Sequence, residues 1–281
     1  MDEFIKLELT GEAAACCSSD CCEEPSAQIQ EGSAVEMTNA EVKDLVRDNY
    51  AKVAQNATAC CSTDCCDNSS KLYNVELIKD LPVEAVMASA GCGNPTAIGE
   101  LLPGETVVDF GSGGGIDCFI AAKAVGPEGK VVGVDMTLDM IKLARSNAEK
   151  LELSNVEFHL TEMEHTPLAD DSADAIISNC VINLAPDKSE VFKEAFRILK
   201  PGGRAYISDM LLVNELPDEA REDKKNWVMC LSGAEPKDIY LGKMREAGFV
   251  DVQILEDTPW EGEQSWASDV HSMNIRAYKP S

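Results

Sequence analysis

Apolar positions along this chain fall into two rhythms. Short, nearly continuous apolar blocks at Thr106–Phe110, Lys130–Asp135, Val156–Leu160, Asp174–Ser178 and Arg204–Asp209 read as buried strands. Between them, apolar residues recur at three- and four-residue spacing, the signature of helices with one face turned inward. Alternation of this kind predicts an α/β fold: a mainly parallel sheet with helices on both faces. Asn214–Phe249 continues in a helical pattern, and Val250–Glu256 with Met273–Tyr278 read as two final strands that close the sheet edge as a hairpin. Upstream, Thr38 and Glu41 form a capping box, and Val42, Leu45, Val46 and Val53 follow at helical spacing, so a helix is expected over Asn39–Gln55. A further helix is expected around Pro82–Ala88. The polar stretch 23–37, with Pro25 and Gly32, reads as a linker.

The first strand runs directly into Gly111-Ser112-Gly113-Gly114-Gly115 and then into a helix. Glycine permits the tight turn and lets backbone N–H groups approach a ligand, while the start of the helix favours polar or anionic atoms. The second strand ends in Asp135, about twenty residues beyond Gly115, where a carboxylate can accept both hydroxyls of a ribose. Together these features indicate an adenosine-type cofactor. Gly at 111, 113 and 115 departs from the dinucleotide G-x-G-x-x-G spacing and resembles the S-adenosylmethionine (SAM) version instead. Thr161–Glu164 and Asn179-Cys180 fall at the carboxyl ends of the third and fourth strands, where ligands bind on such sheets.

Composition narrows the partners. The 281 residues carry a net charge of −26, which argues against binding nucleic-acid phosphates or an anionic membrane surface. Neither a secretory leader nor an apolar run long enough to span a bilayer is visible, so a cytoplasmic location is expected. Twelve Cys in a reducing compartment point to thiolate ligands or redox groups rather than a disulfide framework. They are not scattered: the unit C-C-S-S/T-D-C-C occurs twice, at Cys16–Cys22 and Cys60–Cys66. Adjacent Cys differ from the C-x-x-C spacing of structural zinc sites. His159, His165 and His271 show no metal-ligand spacing, and Cys118, among Phe119, Ile120 and Ala121, reads as a buried small apolar side chain.

Several motifs extend the picture: Gly91-Cys92-Gly93-Asn94-Pro95, Asp109–Gly115, Gly133–Thr137, Ile177-Ser178-Asn179-Cys180-Val181-Ile182-Asn183-Leu184, Leu199–Arg204, Ser208-Asp209 and Trp227–Ala234 with Cys230. In these residues, over roughly 40–256, the chain resembles the arsenite methyltransferases, class I SAM-dependent enzymes. The resemblance implies that Cys180 and Cys230 hold trivalent arsenic, that Cys92 is a third thiol, and that the most N-terminal working Cys is Cys60 or Cys61. It implies SAM as cofactor, arsenite or its thiol conjugates as substrate, and a thioredoxin- or glutathione-like thiol that restores the enzyme after Cys pairs oxidise. The first C-C unit is a departure, since it lies upstream of what the family pattern requires.

The chemistry fits those residue types. Soft, three-coordinate arsenic prefers thiolates to imidazole or carboxylate, and its lone pair then remains free to attack a methyl group in line. For SAM, Asp109 would orient the loop and approach the methionine amino group, while Gly111, Ser112, Gly113 and Gly115 form the backbone cradle. Asp135 would take the ribose, Met136 the adenine face and Met163-Glu164 the adenine edge, with Asn179 at the end of the fourth strand. The expected organisation is a Cys-rich tail and linker (1–37), a helix with the second Cys unit (38–74), a SAM-binding core (75–213) and a helical cover with closing strands (214–281). Two other functions fit parts of the sequence: a SAM-dependent methyltransferase of a small organic molecule, and a thiolate-based soft-metal binding protein.

Overall fold

The structure is a computed structural model that describes residues 37–59, 73, 75–94 and 99–281. Both C-C units, with Cys60 and Cys61, lie outside the described residues, as does Pro95 of the Cys92 motif. Seven strands form one sheet: β1 (Thr106–Phe110), β2 (Lys130–Asp135), β3 (Val156–Leu160), β4 (Ala173–Asn179), β5 (Leu199–Leu212), β6 (Val250–Pro259) and β7 (Val270–Tyr278). Their spatial order is β3-β2-β1-β4-β5-β7-β6. β1 to β5 pair in parallel, and β7 enters antiparallel between β5 and β6. The closing hairpin is therefore at the sheet edge, as the sequence pattern indicates.

The long helices are α1 (Asn39–Ala59), α4 (Ile116–Val125), α5 (Leu138–Lys150), α6 (Lys188–Ile198) and α9 (Lys237–Glu246); α2 (Val75–Ile78), α3 (Val83–Met87), α7 (Asp218–Glu222) and α8 (Lys224–Val228) are short. Alternation along β1 explains the layering. Val107 packs with α4 residues such as Phe119 and Ala121 on one face, whereas Val108 and Phe110 pack with Phe192 of α6 and Met244 of α9 on the other. Each fully buried side chain of this size contributes about 1.5–3 kcal/mol. Among the described residues, no helix is long and apolar enough to cross a membrane.

Several elements differ from the sequence pattern; β6 and β7 each run three residues further into their connection, to Pro259 and from Val270. α1 begins at its capping box, where Thr38 N–H donates to Glu41 Oε2 at 2.7 Å, but continues to Ala59 because Ala54 and Ala57 extend its buried face. β5 starts at Leu199 rather than Arg204: Leu199 pairs with Ala173, and a register shift between Ala173 and Ala175 accommodates the intervening Pro-Gly-Gly residues. The stretch from Asn214 onward is not one helical run. Pro217 and Asp223 precede α7 and α8, Pro236 precedes α9, and Cys230 falls in the break between α8 and α9.

Candidate active site

An open cleft of about 890 Å³ lies at the carboxyl ends of β1, β2 and β4, roofed by α1. The glycine-rich turn forms its floor. Gly111, Gly113 and Gly115 have φ of 72°, 49° and 96°, the left-handed region that side chains rarely adopt. A Cβ on Gly111 would lie 2.4 Å from Val181, whereas one on Gly113 would meet nothing within 4 Å, so the turn is packed on one side and open at Gly113. Ser112 lines the cleft with a buried Oγ that has no partner among the described residues.

Asp135 is held in place rather than free. Its carboxylate accepts the N–H of Gly113 at 3.0 Å and the N–H of Thr137 at 2.7 Å. Burial raises its pKa, and the two backbone donors act against that rise. Met136, Met163 and Glu164 also line the cleft. Glu164 is engaged by α1: Lys43 Nζ lies 2.8 Å from Glu164 Oε1 and 2.7 Å from Glu162 Oε2. Asp109 and Gly115 stand behind the cleft wall. Asp109 is buried and accepts from Cys118 Sγ–H at 3.2 Å, and Gly115 faces the Phe119 ring.

The acid that reaches the cleft from this region is Asp117, on the first turn of α4. Its two oxygens accept from Tyr73 Oη–H at 3.0 and 2.9 Å, and Asn179 Nδ2–H donates to it at 3.2 Å. Burial raises its pKa to about 6, with the Asn179 and Tyr73 donors opposing. Sequence reasoning did not single out Asp117, Tyr73 or Lys43. The available signal for Asp117 was an acid two residues past the last glycine, but whether it or Asp109 faces the ligand depends on the phase of strand and helix.

At one end of the cleft the thiols gather. Cys180 follows β4, lines the cleft and is buried; its N–H donates to Ser208 O at 2.8 Å. Cys230, also buried, reaches across from the α8–α9 connection and its Sγ–H donates to Cys180 O at 2.5 Å. Both residues have left-handed backbones, φ 59° for Cys180 and 63° for Cys230, a conformation that costs energy in a non-glycine residue and clusters at functional sites. Asn183, of the Asn-Cys-Val-Ile-Asn motif, fixes this arrangement by donating to Met210 O and, at 3.4 Å, to Cys230 O. A Cβ on Gly233 would lie 2.1 Å from Asn183 O, so the turn after Cys230 is packed directly on that motif.

Cys92 enters on its own loop, which Asn179 and the sheet grip from two sides. Asn179 Oδ1 accepts the N–H of Cys92 at 3.2 Å and of Gly93 at 3.3 Å, and its Nδ2 donates to Gly93 O at 2.8 Å. Ser272 of β7 donates to Cys92 O at 2.8 Å. Cβ atoms on Gly91 and Gly93 would lie 2.3 Å from Asn179 and 2.7 Å from Ser208, which explains the two glycines. Asn179 thus lines the cleft and also clamps the Cys92 loop. Cys92 Sγ, Cys180 Sγ and a carboxylate oxygen of Asp209 all lie within 4.8 Å of one another.

The neighbouring thiols of Cys230 and Cys92, then burial, hold the Cys180 thiol well above its ordinary pKa. Cys230 is lowered by its hydrogen bond with Cys180, but burial and the nearby Asp209 leave it raised. Burial pushes Asp209 up to about 7, opposed by donation from Tyr240 Oη–H and the Met210 N–H, both at 2.9 Å. Apolar and aromatic groups close the site: Leu184, Met210, Leu231 and Trp266 pack with Cys180 and Cys230, and Tyr50, Trp227 and Met136 pack against them. Tyr50 Oη–H donates to Val228 O at 3.3 Å, which joins α1 to the α8 cover.

A family model described as a methyltransferase domain matches residues 101–248. An arsenite methyltransferase of Halobacterium salinarum is 46% identical over 197 residues, 68% of this chain and 50% of that protein. One of Aquipseudomonas alcaligenes is 39% identical over 222 residues, 76% of this chain and 64% of that protein. The chain spans about half the length of the curated relatives it matches. Among solved structures, an arsenic (III) S-adenosylmethionine methyltransferase from Chlamydomonas reinhardtii superposes with a TM-score of 0.66 at 34% identity, covering 73% of this chain and 72% of that one. With this sheet order, this glycine turn and this set of thiols, the chain belongs to the arsenite methyltransferase family of class I SAM-dependent methyltransferases.

Proposed function

We propose that this chain transfers the methyl group of SAM to trivalent arsenic held by Cys92, Cys180 and Cys230. The observation that carries the reading is the convergence of these thiols, from a loop, a strand end and a cover segment, at one end of a cleft floored by the glycine turn. SAM, when bound, supplies an electrophilic methyl group on a sulfonium centre. The open face at Gly113, the unpartnered Ser112 Oγ and the anchored Asp135 carboxylate suit a polar nucleoside ligand. Asp117, rather than Asp109, is the carboxylate suited to the methionine ammonium, because it faces the cleft. Met136 and Met163 offer apolar packing to the adenine, and Lys43 closes α1 over that end through Glu162 and Glu164.

Cys180 and Cys230 start neutral: the neighbouring thiols and burial disfavour the Cys180 thiolate, and burial with the nearby Asp209 outweighs the opposing hydrogen bond to Cys180 at Cys230. As each one exchanges onto arsenic, an As–S bond forms, the bond to a hydroxide or small thiol breaks, and the Cys proton leaves with that group as water or free thiol. Coordination thereby favours the deprotonated ligand that burial resists. Three thiolates leave the arsenic lone pair free, and the aromatic wall of Tyr50, Trp227 and Trp266 excludes water from it. Orientation is then the chief contribution to rate. Transfer of the methyl group as a cation to the arsenic lone pair raises arsenic formally to the pentavalent state. A Cys pair closing to a disulfide returns two electrons and keeps the product trivalent, and the reductant we assign, a dithiol or thiol of the thioredoxin or glutathione type, reopens that disulfide.

Arsenite must be the acceptor for this reading to stand. S-adenosylhomocysteine formation is expected with arsenite and absent with ethanolamine or a simple alcohol. Product formed with the organic acceptors and not with arsenite would favour an organic methyltransferase instead. Gly93→Ala probes the thiol geometry separately from the cofactor: its Cβ collides with Ser208, so the Cys92 loop must shift. Arsenite affinity should fall about tenfold, a cost of about 1.4 kcal/mol, while SAM affinity in calorimetry stays within twofold.

α1 ends at Ala59, one residue before Cys60, and Ala57 packs in the same cluster as Ala88, near the Cys92 loop. Cys60 or Cys61 is accordingly assigned to turnover, and the first unit, Cys16, Cys17, Cys21 and Cys22, to capture of arsenic. A tethered thiol cluster raises local arsenic concentration without setting geometry. Deleting residues 1–35 should raise the arsenite concentration for half-maximal rate and leave the saturated rate nearly intact, whereas Cys60→Ser/Cys61→Ser in that background should lower the saturated rate. Collapse of the saturated rate in the simple deletion would assign the first unit to catalysis.

A further inference from the structure

Trivalent arsenic needs three soft donors, yet the site contains a fourth group of a different kind. Asp209 is buried at the heart of β5, and an oxygen of its carboxylate lies within 4.8 Å of both Cys92 Sγ and Cys180 Sγ. The donors that face it are neutral: Tyr240 Oη–H, the Met210 N–H and the backbone of Asn183. The buried ammonium of Lys188 is directed elsewhere, to Ala185 O at 3.4 Å and Glu235 at 3.8 Å. Lys188 acts on Asp209 only through its charge, without contact, and a buried carboxylate that no cation touches is costly and is stabilised by one that binds it directly. Three-coordinate arsenic bound by thiolates does not require a fourth donor.

We infer that Cys92, Cys180 and Asp209 form a binding site for a thiophilic divalent cation of the zinc and cadmium class, which occupies the thiols and excludes arsenite. Mixed sulfur and carboxylate donors suit such an ion. Cys230, whose Sγ–H donates to Cys180 O, is the neighbouring thiol that would complete a four-coordinate shell by turning toward it. Tetrahedral zinc with bonds near 2.3 Å to sulfur sets its sulfur ligands about 3.8 Å apart, so the two sulfurs need to close by at most about 1 Å. Cys92, half-buried where Cys180 and Cys230 are fully buried, has room to make this adjustment by turning its side chain while the backbone of its loop stays anchored. Each thiol engaged releases its proton to solvent, and no electron is transferred. The inference deepens the arsenic reading of the same thiols, because it makes the cation a competitive inhibitor of that reaction.

The test uses the reduced full chain and Co²⁺ alone as the probe, since four-coordinate cobalt thiolates absorb strongly in the visible. The duplicated Cys units contribute the same background to every form, so the site is read as the difference between the unaltered protein and Cys180→Ser. A tetrahedral cobalt spectrum saturating at one equivalent is expected in that difference, with its half-saturation point raised at least about tenfold in Asp209→Asn. Cys92→Ser, on the loop, provides the same readout if Asp209→Asn does not fold. No tetrahedral difference spectrum, or an unchanged midpoint in folded Asp209→Asn, overturns the inference. Arsenite is then added to the cobalt form. Bleaching of the band as arsenite is raised supports competition at shared thiols, whereas a band that persists while arsenite is methylated at the rate of the cobalt-free protein overturns the competition; methylation by the cobalt-free protein tests the arsenic reading separately.

Discussion

Cys180→Ser and Cys230→Ser are each expected to reduce methylation of both arsenite and monomethylarsenite to the rate without enzyme. Arsenic that carries one methyl group has only two exchangeable positions, so two thiolates suffice after the first transfer, and these two are the buried pair in direct contact. Serine preserves size and the left-handed backbone but replaces a soft donor with a hard one that arsenic binds poorly. Cys92→Ser should behave differently: arsenite methylation is lost, while the monomethyl species still turns over. Initial rates on the two substrates, measured with each variant, check the division. Equal loss on both substrates in Cys92→Ser would show that the loop thiol is required throughout.

Asp135→Ala is expected to weaken SAM binding by about 1.5–3 kcal/mol, roughly ten- to 150-fold in calorimetric affinity. Two effects add. A charge-assisted acceptor for the ribose hydroxyls is lost, and the Gly113 and Thr137 N–H groups lose the carboxylate that fixes the turn. Asp135→Asn keeps one acceptor oxygen and should fall between the two. Unchanged affinity in Asp135→Ala would mean that the nucleoside lies elsewhere.

Much of this architecture was legible because it is local. Apolar blocks ending in Gly111 and Asp135 specify strand, turn and acid with no knowledge of the rest of the fold, and the capping box placed the start of α1 on Thr38 and Glu41. Family motifs identified Cys92, Cys180 and Cys230, and the fold brings them to one place. What escaped depends on tertiary packing. Asp109 and Asp117 are equivalent in sequence terms, yet strand phase turns the first toward Cys118 and helix phase turns the second toward the cleft. Lys43 pairs with Glu162 and Glu164 across more than a hundred residues, a contact no periodicity encodes. Asp209 was visible as the acid ending a strand motif, but its place beside two thiols follows only from the docking of the Cys92 loop on β5 and β7. The helical pattern after Asn214 concealed the break at Cys230, because the apolar spacing persists while Pro217, Asp223 and Pro236 divide the segment.

The central claim is tested most directly by incubating the purified chain with arsenite, methyl-labelled SAM and a thiol reductant, and separating arsenic species over time. Labelled monomethylarsenic appearing first, followed by any higher methylated product, and absent in Cys180→Ser, is the predicted result. Arsenic that remains unmethylated while SAM is bound, or label transferred to a different acceptor, would contradict the account.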